Sequence, residues 1–343
     1  MNSKKIVINK KIAQWLLICC GLVFVMVVLG GVTRLTGSGL SMTDWRPVTG
    51  ILPPMNIEEW RHSFEMYKTS PEFIKINSQM DLNDYKGIYW LEYLHRLLGR
   101  IIGIVFLVPL LIFIRKGYIE RDQWFKYSAM FILGGLQGVL GWYMVKSGLI
   151  DNPQVSQYRL TAHLIGAFSI YAYMLWVALS LLNPSNNKKA HKFYGSAVAL
   201  TILITITIIS GGFVAGLKAG KIYNTFPMMG SYWIPPDYLA LTPAWQNFFE
   251  NLGTVQFNHR ILAIITFVMI FIYWFKMQKV DFSKQTKKGI NALLHTGILQ
   301  VILGILTLIL VVPIPMAAAH QATGLLLFTV AIFNCHNLKT IES

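Results

Sequence analysis

Four histidines occupy matching places in this 343-residue chain: His95 in EYLHR, His163 in TAHL, His259 in NHR and His320 in AAHQ. Each lies near the start of a long apolar stretch, and the stretches that carry them are every second one of eight. Between 14 and 19 apolar-run residues follow each histidine. At ~1.5 Å per helical residue that puts every imidazole well over ~20 Å from the far surface of a bilayer. The four imidazoles therefore sit at one depth, near one face, in two pairs. A lone histidine in a membrane helix commonly serves as a hydrogen-bonding residue between helices, but repetition of position and direction argues against that for all four. Zinc would need four nitrogen or sulfur ligands in tetrahedral placement, and no cysteine or further histidine lies at this depth. Haem iron needs two axial ligands on opposite faces and an apolar slot for the macrocycle. Two bis-histidine haem sites follow, His95 with His163 and His259 with His320.

Each pair opens with His-Arg, and Arg96 and Arg260 are candidates for haem propionates, which suit the guanidinium fork. Snorkelling of these arginines to the interface is the alternative. The halves differ at one informative place. Glu92 stands three residues before His95, on the same helical face, where the second half has Gln256 before His259. A partly desolvated carboxyl group beside one haem and a neutral isostere beside the other predicts proton handling at the first site only. The alternative for Glu92 is an ion pair with Arg96 or Arg100. His62, His191, His295 and His336 fall at other depths and are assigned structural roles.

The elements that must position these residues are read from the apolar runs, about 12–33, 88–114, 127–145, 160–182, 195–217, 257–275, 290–312 and 314–334. Each approaches the ~20 residues that cross a hydrocarbon core of ~30 Å as a helix, and in lipid such runs must be helical. With 54% hydrophobic and 13% charged residues, against ~25% charged in a soluble protein, the chain reads as an all-α polytopic membrane protein. Its net charge of +15 is not a nucleic-acid footprint. With the N-terminus inside, the inner segments hold 17 basic against 4 acidic residues, and the rest holds 13 against 11. That asymmetry is a positive-inside signal with both termini cytoplasmic and the histidines near the outer face. The first run lacks a small-residue cleavage site and reads as a retained helix. With no Arg- and Ser-rich transit segment, a bacterial cell membrane is expected. Cys19, Cys20 and Cys335 all fall in inner halves of helices, so no disulfide is expected on the outer side.

The chain also repeats itself. Gly30-Gly31 matches Gly211-Gly212 at an offset of 181, Pro47 and Gly50 match Pro227 and Gly230, and Pro53-Pro54 matches Pro235-Pro236. EYLHRLLGRIIGIVF pairs with QFNHRILAIITFVMI, LQGVLG with LQVILG, and TAHLIGAF with AAHQATGL. Four helices return the chain to its starting side, so the two units, 1–187 and 188–343, are parallel repeats. They form two pseudo-symmetric four-helix bundles, in which the second and fourth helices can face each other across a cofactor. The inverted repeats of many transporters, with broken helices at mid-membrane, do not fit this pattern. Long outer loops, 34–87 and 218–255, carry Trp45, Trp60, Trp233 and Trp245. They are read as an interfacial aromatic belt or as a lid over the sites.

The segments EYLHR, TAH, NHR and AAHQATG, with GGVTRLTGSGLSMTDWRPVTGILPP and NTFPMMG between helices, are similar to the haem A synthase family, in the branch shared by mitochondria and alphaproteobacteria. The resemblance covers nearly the whole chain. It implies oxidation of the C8 methyl of haem O to a formyl group, by successive hydroxylations and loss of water, giving haem A for cytochrome c oxidase. It also implies that His259 and His320 hold a permanent haem b, that His95 and His163 receive the haem substrate, and that Glu92 matches the family's essential acid. Some bacterial members carry a cysteine pair in the first outer loop; this sequence has none there. Expected partners are haem O, membrane lipid, an unidentified electron donor, and haem O synthase with oxidase assembly factors. A b-type electron-transfer cytochrome and a haem carrier without chemistry are the other readings of the same four histidines. A six-coordinate substrate haem leaves no open position for oxygen chemistry, so either a histidine leaves or water is the oxygen source.

Overall fold

The computed structural model describes residues 3–44, 51–150, 153–184, 188–339 and 341–342. Trp45, Pro47 and Gly50 lie outside the described residues. The helices are α1 (Ser3–Leu35), α2 (Ile57–Lys68), α3 (Pro71–Lys75), α4 (Leu82–Arg115), α5 (Trp124–Lys146), α6 (Gln157–Leu182), α7 (Tyr194–Gly216), α8 (Asn247–Glu250), α9 (Leu252–Gln278), α10 (Lys284–Ile309) and α11 (Ile314–Lys339). Lys188–Lys189 and Ile341–Glu342 form a two-residue antiparallel pairing. Among the described residues, eight helices are long and apolar enough to cross a membrane, namely α1, α4, α5, α6, α7, α9, α10 and α11. All eight apolar runs are thus helices of a polytopic membrane protein. Cys19, Cys20 and Cys335 are buried, and none forms a disulfide among the described residues.

Most of the spanning helices start earlier than their apolar runs, and α4 and α9 each carry a side-chain cap at the earlier start. Asp81 caps α4 by accepting from the Asn83 and Asp84 amides, while Asp84 Oδ2 accepts from the Asp81 amide, a reciprocal capping box. At ~1.5 Å per residue this 34-residue helix is ~51 Å long, well beyond the ~30 Å of a hydrocarbon core. Asn251 caps α9 through the Thr254 amide. The N-terminal part of α4 carries Tyr85, Tyr89 and Tyr93, which bury against Trp60, Phe64 and Tyr67 of α2. Trp60 meets Tyr89 edge-on at 4.9 Å between centroids, and Phe64 stacks on Tyr85 at 5.1 Å. Such pairs add to the burial of large rings, so the loop read from sequence is in part a helical cap on α4. Trp233 and Trp245, in the α7–α9 connection, are exposed.

By packing, the chain forms two compact units, Ile18–Ile170, and Met1–Leu17 with Tyr171–Ser343. In the second of these, α9 packs on α7 and α10, and α11 on α10 and α7, so α9 and α11 stand on a diagonal of a four-helix ring. The second half of α6 belongs to the same unit. Tyr171 Oη lies 2.8 Å from Thr329 Oγ1, and Ser180 Oγ lies 3.1 Å from His336 Nε2, with Trp176 edge-on to that imidazole. His336 is a buried structural residue there. In the other unit, α4 packs on α5 and α2.

Candidate functional site

The four histidines sit on α4, α6, α9 and α11, and each ring lies against a glycine of a neighbouring helix. A Cβ built on Gly30 of α1 would stand 2.8 Å from Cε1 of His95; one on Gly141 of α5, 3.0 Å from that of His163. In the other unit the distances are 3.0 Å from Gly211 of α7 to His259 and 2.9 Å from Gly304 of α10 to His320. Any side chain at these four positions would push the imidazole away, so the glycines exist for close approach rather than for a turn. His95 and His163 are near enough to interact electrostatically, as are His259 and His320. The structure therefore brings together the two pairs read from the repeat.

The nitrogens carry a second pattern. The Gln137 side-chain amide lies 3.0 Å from His163 Nδ1 and donates to the His163 carbonyl oxygen at 2.6 Å. Ser210 Oγ lies 2.8 Å from His259 Nδ1 and donates to the Thr207 carbonyl oxygen. His320 Nδ1 is buried with no hydrogen-bond partner among the described residues. His95 Nδ1 is buried with no partner among the described residues.

These features fit haem. A bis-histidine haem takes one nitrogen from each of two facing rings, and the second nitrogen is oriented by a partner in the protein. The glycine cradles let each ring approach the neighbouring helix with its Cε1 edge foremost. Among the described residues no three His, Cys, Asp or Glu side chains group as metal ligands, so the donor set is pairs of imidazoles.

Glu92 is buried, at 3% exposure, and its carboxylate is fully engaged. Oε2 accepts from Ser41 Oγ at 2.7 Å and from the Met42 amide at 2.8 Å, while Oε1 accepts from Arg96 Nη2 at 2.6 Å and Nε at 3.1 Å. Gly37, at φ 69°, turns the chain after α1 so that Ser41 and Met42 reach α4. Of the partners considered from sequence for Glu92, Arg96 is the one that pairs with it.

Both arginines read as propionate candidates hold backbone. Arg96 donates to the carbonyls of Met42 and Asp44. Arg260 donates to those of Tyr223, Thr225 and Met228. Tyr223 and Thr225 are offset by 181 from Met42 and Asp44, so the internal repeat extends to individual hydrogen bonds. Gln256 joins in by donating to the Tyr223 carbonyl at 3.1 Å. Sequence reasoning missed the ring-cradling role of the glycines and the role of Gln137. Gly30 with Gly211, and LQGVLG with LQVILG, were visible as repeats, but a repeat does not say what lies against it.

Comparison with known proteins bears on the whole chain. A family model described as "Cytochrome oxidase assembly protein" matches residues 13–332. The chain belongs to that family. It is 49% identical over 342 residues to a protein of Nitrosospira multiformis named heme A synthase, covering 98% of this chain and 96% of the relative. It is 45% identical to heme A synthase COX15 of Arabidopsis thaliana, over 96% of this chain and 75% of that one. The human protein of the same name is 43% identical, over 97% and 84%. Family membership extends over both halves, so neither four-helix half is an addition peculiar to this chain.

Proposed function

We propose that this chain acts as a haem A synthase, oxidising the C8 methyl of haem O to a formyl group within the membrane. The observation that carries the reading is the pair of glycine-cradled histidine couples, of which only one has a buried carboxylate three residues from a ligand. Near-full-length similarity to proteins named heme A synthase supports it. In this reading the functional units are the repeat halves, 1–187 with the substrate site and 188–343 with the cofactor site. Both termini face the cytoplasm of a bacterial cell, as the charge asymmetry supports, and the haems lie towards the outer face.

His259 and His320 hold haem b, which supplies electron transfer to and from the substrate. Ser210 orients the His259 ring by its bond to Nδ1. His95 and His163 receive haem O. Each of two hydroxylations of the methyl is a two-electron oxidation that requires dioxygen or an external electron acceptor as oxidant, and loss of water from the geminal diol leaves the aldehyde. Glu92 supplies or accepts the protons these steps exchange. Its Oε1 stays with Arg96, and Oε2, bonded to neutral donors only, is the side that takes a proton, with Ser41 Oγ as the partner able to pass it on. Arg96 and Arg260 keep the connections over each site in place; where a propionate comes within reach, the same guanidinium fork can bind it. An electron donor, haem O synthase and oxidase assembly factors are the partners this activity calls for.

Expression in a host that makes haem O but lacks haem A, followed by haem extraction, tests the reading. Formyl haem is expected. Unchanged haem O would overturn it in favour of a carrier or an electron-transfer cytochrome.

A further inference from the structure

We propose that Arg34 and Arg159 bind the two propionates of the substrate haem and so turn the edge that carries its C8 methyl towards Glu92. This rests on the reading that His95 and His163 hold haem O. Haem O carries its two propionates side by side, and the C8 methyl flanks one of them. A pair of anions on one edge of a ligand inside a membrane calls for a pair of cations at a matching height above the axial ligands. Arg96 cannot supply both, since its fork is engaged by Glu92 and by the carbonyls of Met42 and Asp44.

Arg34 stands four residues beyond Gly30 on α1, on the face whose glycine meets the His95 ring. Arg159 stands four residues before His163 on α6, again on the face of the ligand. At ~1.5 Å per residue, each is ~6 Å along its helix from the level of the imidazoles. Both displacements run towards the end of the unit where Glu92 lies. Ser41 and Met42, which follow α1, bond to Glu92, and spanning helices that alternate in direction put the starts of α4 and α6 at one end. Glu92 itself is three residues, ~4.5 Å, to that side of His95. A haem whose propionates meet the two arginines therefore presents the flanking methyl at the height of the carboxylate.

Both guanidinium groups are disposed for anions. Arg159 Nη1 donates to the Tyr143 carbonyl at 2.8 Å, and its Cζ lies 3.7 Å from the centre of the Tyr143 ring. Tyr143 is two residues past Gly141, the glycine against His163, so the contact fixes the arginine beside that cradle with donors of the fork to spare. Arg34 is half-buried, and its side chain has no hydrogen-bond or ion-pair partner among the described residues. Snorkelling explains a single arginine near a helix end, but it does not explain the difference between the halves. The repeat puts Ala215 where Arg34 stands and Met316 where Arg159 stands, and neither 212–217 nor 314–319 holds a lysine or arginine. The added cations belong to the half that has Glu92, where a haem must be aligned as well as held.

The test titrates full-length protein with haem O and with its dimethyl ester, which keeps the macrocycle and its tail but carries no propionate charge. Wild type is expected to bind the free acid ~100-fold more tightly than the ester, about tenfold for each hydrogen-bonded charge. Arg34→Ala and Arg159→Ala are each expected to weaken haem O binding by ~10-fold or more and to leave affinity for the ester unchanged, with extracted haem b as a control for folding. At saturating haem O, the double variant should produce formyl haem ~100-fold more slowly, because the methyl edge is no longer held in place. Equal affinity of wild type for acid and ester would overturn the proposal, as would unchanged haem O affinity in either variant or an equal loss for both ligands. A wild-type rate at saturation would overturn the alignment it assigns. A combined His95→Ala and His163→Ala variant checks the reading beneath: haem O affinity equal to wild type there would overturn the assignment of the pair, and the arginine clamp with it.

Discussion

Glu92 Oε1 lies 2.6 Å from Arg96 Nη2, one turn away on α4, and the same arginine donates to the carbonyls of Met42 and Asp44. This ion pair fastens the connection after α1 onto the helix that carries His95. The other half performs the same fastening with Gln256 and Arg260. A carboxylate is therefore not required to hold the connection, and its presence in one half calls for a chemical explanation.

Glu92→Gln is accordingly expected to fold with a melting temperature close to wild type, because an amide does this work at position 256. Haem A formation should fall by at least ~100-fold, the scale of a lost general acid or base. Thermal unfolding in detergent and haem extraction measure the two effects separately. Full activity in this variant would remove Glu92 from the chemistry.

The two arginines should differ in cost. Arg96→Ala leaves a buried carboxylate without its counter-ion, a loss of about 3–5 kcal/mol. Arg260→Ala leaves only carbonyls and an amide, about 2–3 kcal/mol. Paired melts of the two variants should show the larger drop for Arg96→Ala; the reverse order would mean the ion pair contributes little.

Glycine substitutions offer a test of the cradles. Gly211→Ala should displace His259 and lower haem b content, and Gly30→Ala should displace His95 and raise the high-spin fraction of bound haem O. Gly138→Ala on α5 meets nothing within 4 Å and should stabilise its helix by up to ~1 kcal/mol, with haem content unchanged. Pyridine haemochrome assays against protein concentration distinguish them.

Outside the spanning helices, His191 gives a pH dependence. Its ring lies between Phe193 and Phe282, its Nδ1 accepts from the Phe193 amide at 3.3 Å, and its own amide donates to the Leu338 carbonyl. Burial, then the neighbouring Lys192, holds its pKa below the ordinary imidazole value. A depressed pKa means that stability is fully present above about pH 6.5 and is lost as pH falls through the folded value. Hydrogen exchange at the Phe193 amide should accelerate over that acidic window, and a His191→Phe variant should abolish the change.

Much of the architecture was legible in the chain. Runs of apolar residues in lipid have one satisfactory backbone conformation, so eight helices followed from composition and length. The repeat of His95, His163, His259 and His320 paired these histidines, since parallel four-helix units put equivalent residues at equivalent depth. The starts of α4 and α9 were less legible, because Asp81 and Asn251 cap polar turns that no apolar period marks. The helical cap α2 was also hidden, since its burial depends on tyrosines of the next long helix, α4.

What sequence alone determined was the spanning helices, the four paired histidines and the asymmetry of Glu92 against Gln256, all of which depend on residue type and local spacing. Tertiary structure alone decided which groups meet those residues: Arg96 rather than Arg100 for Glu92, glycines beneath every imidazole, and Nδ1 partners that His163 and His259 have and His95 lacks. Helical periodicity says which face a residue occupies, but the partner arrives from another helix or connection, and only packing brings the two within hydrogen-bond distance.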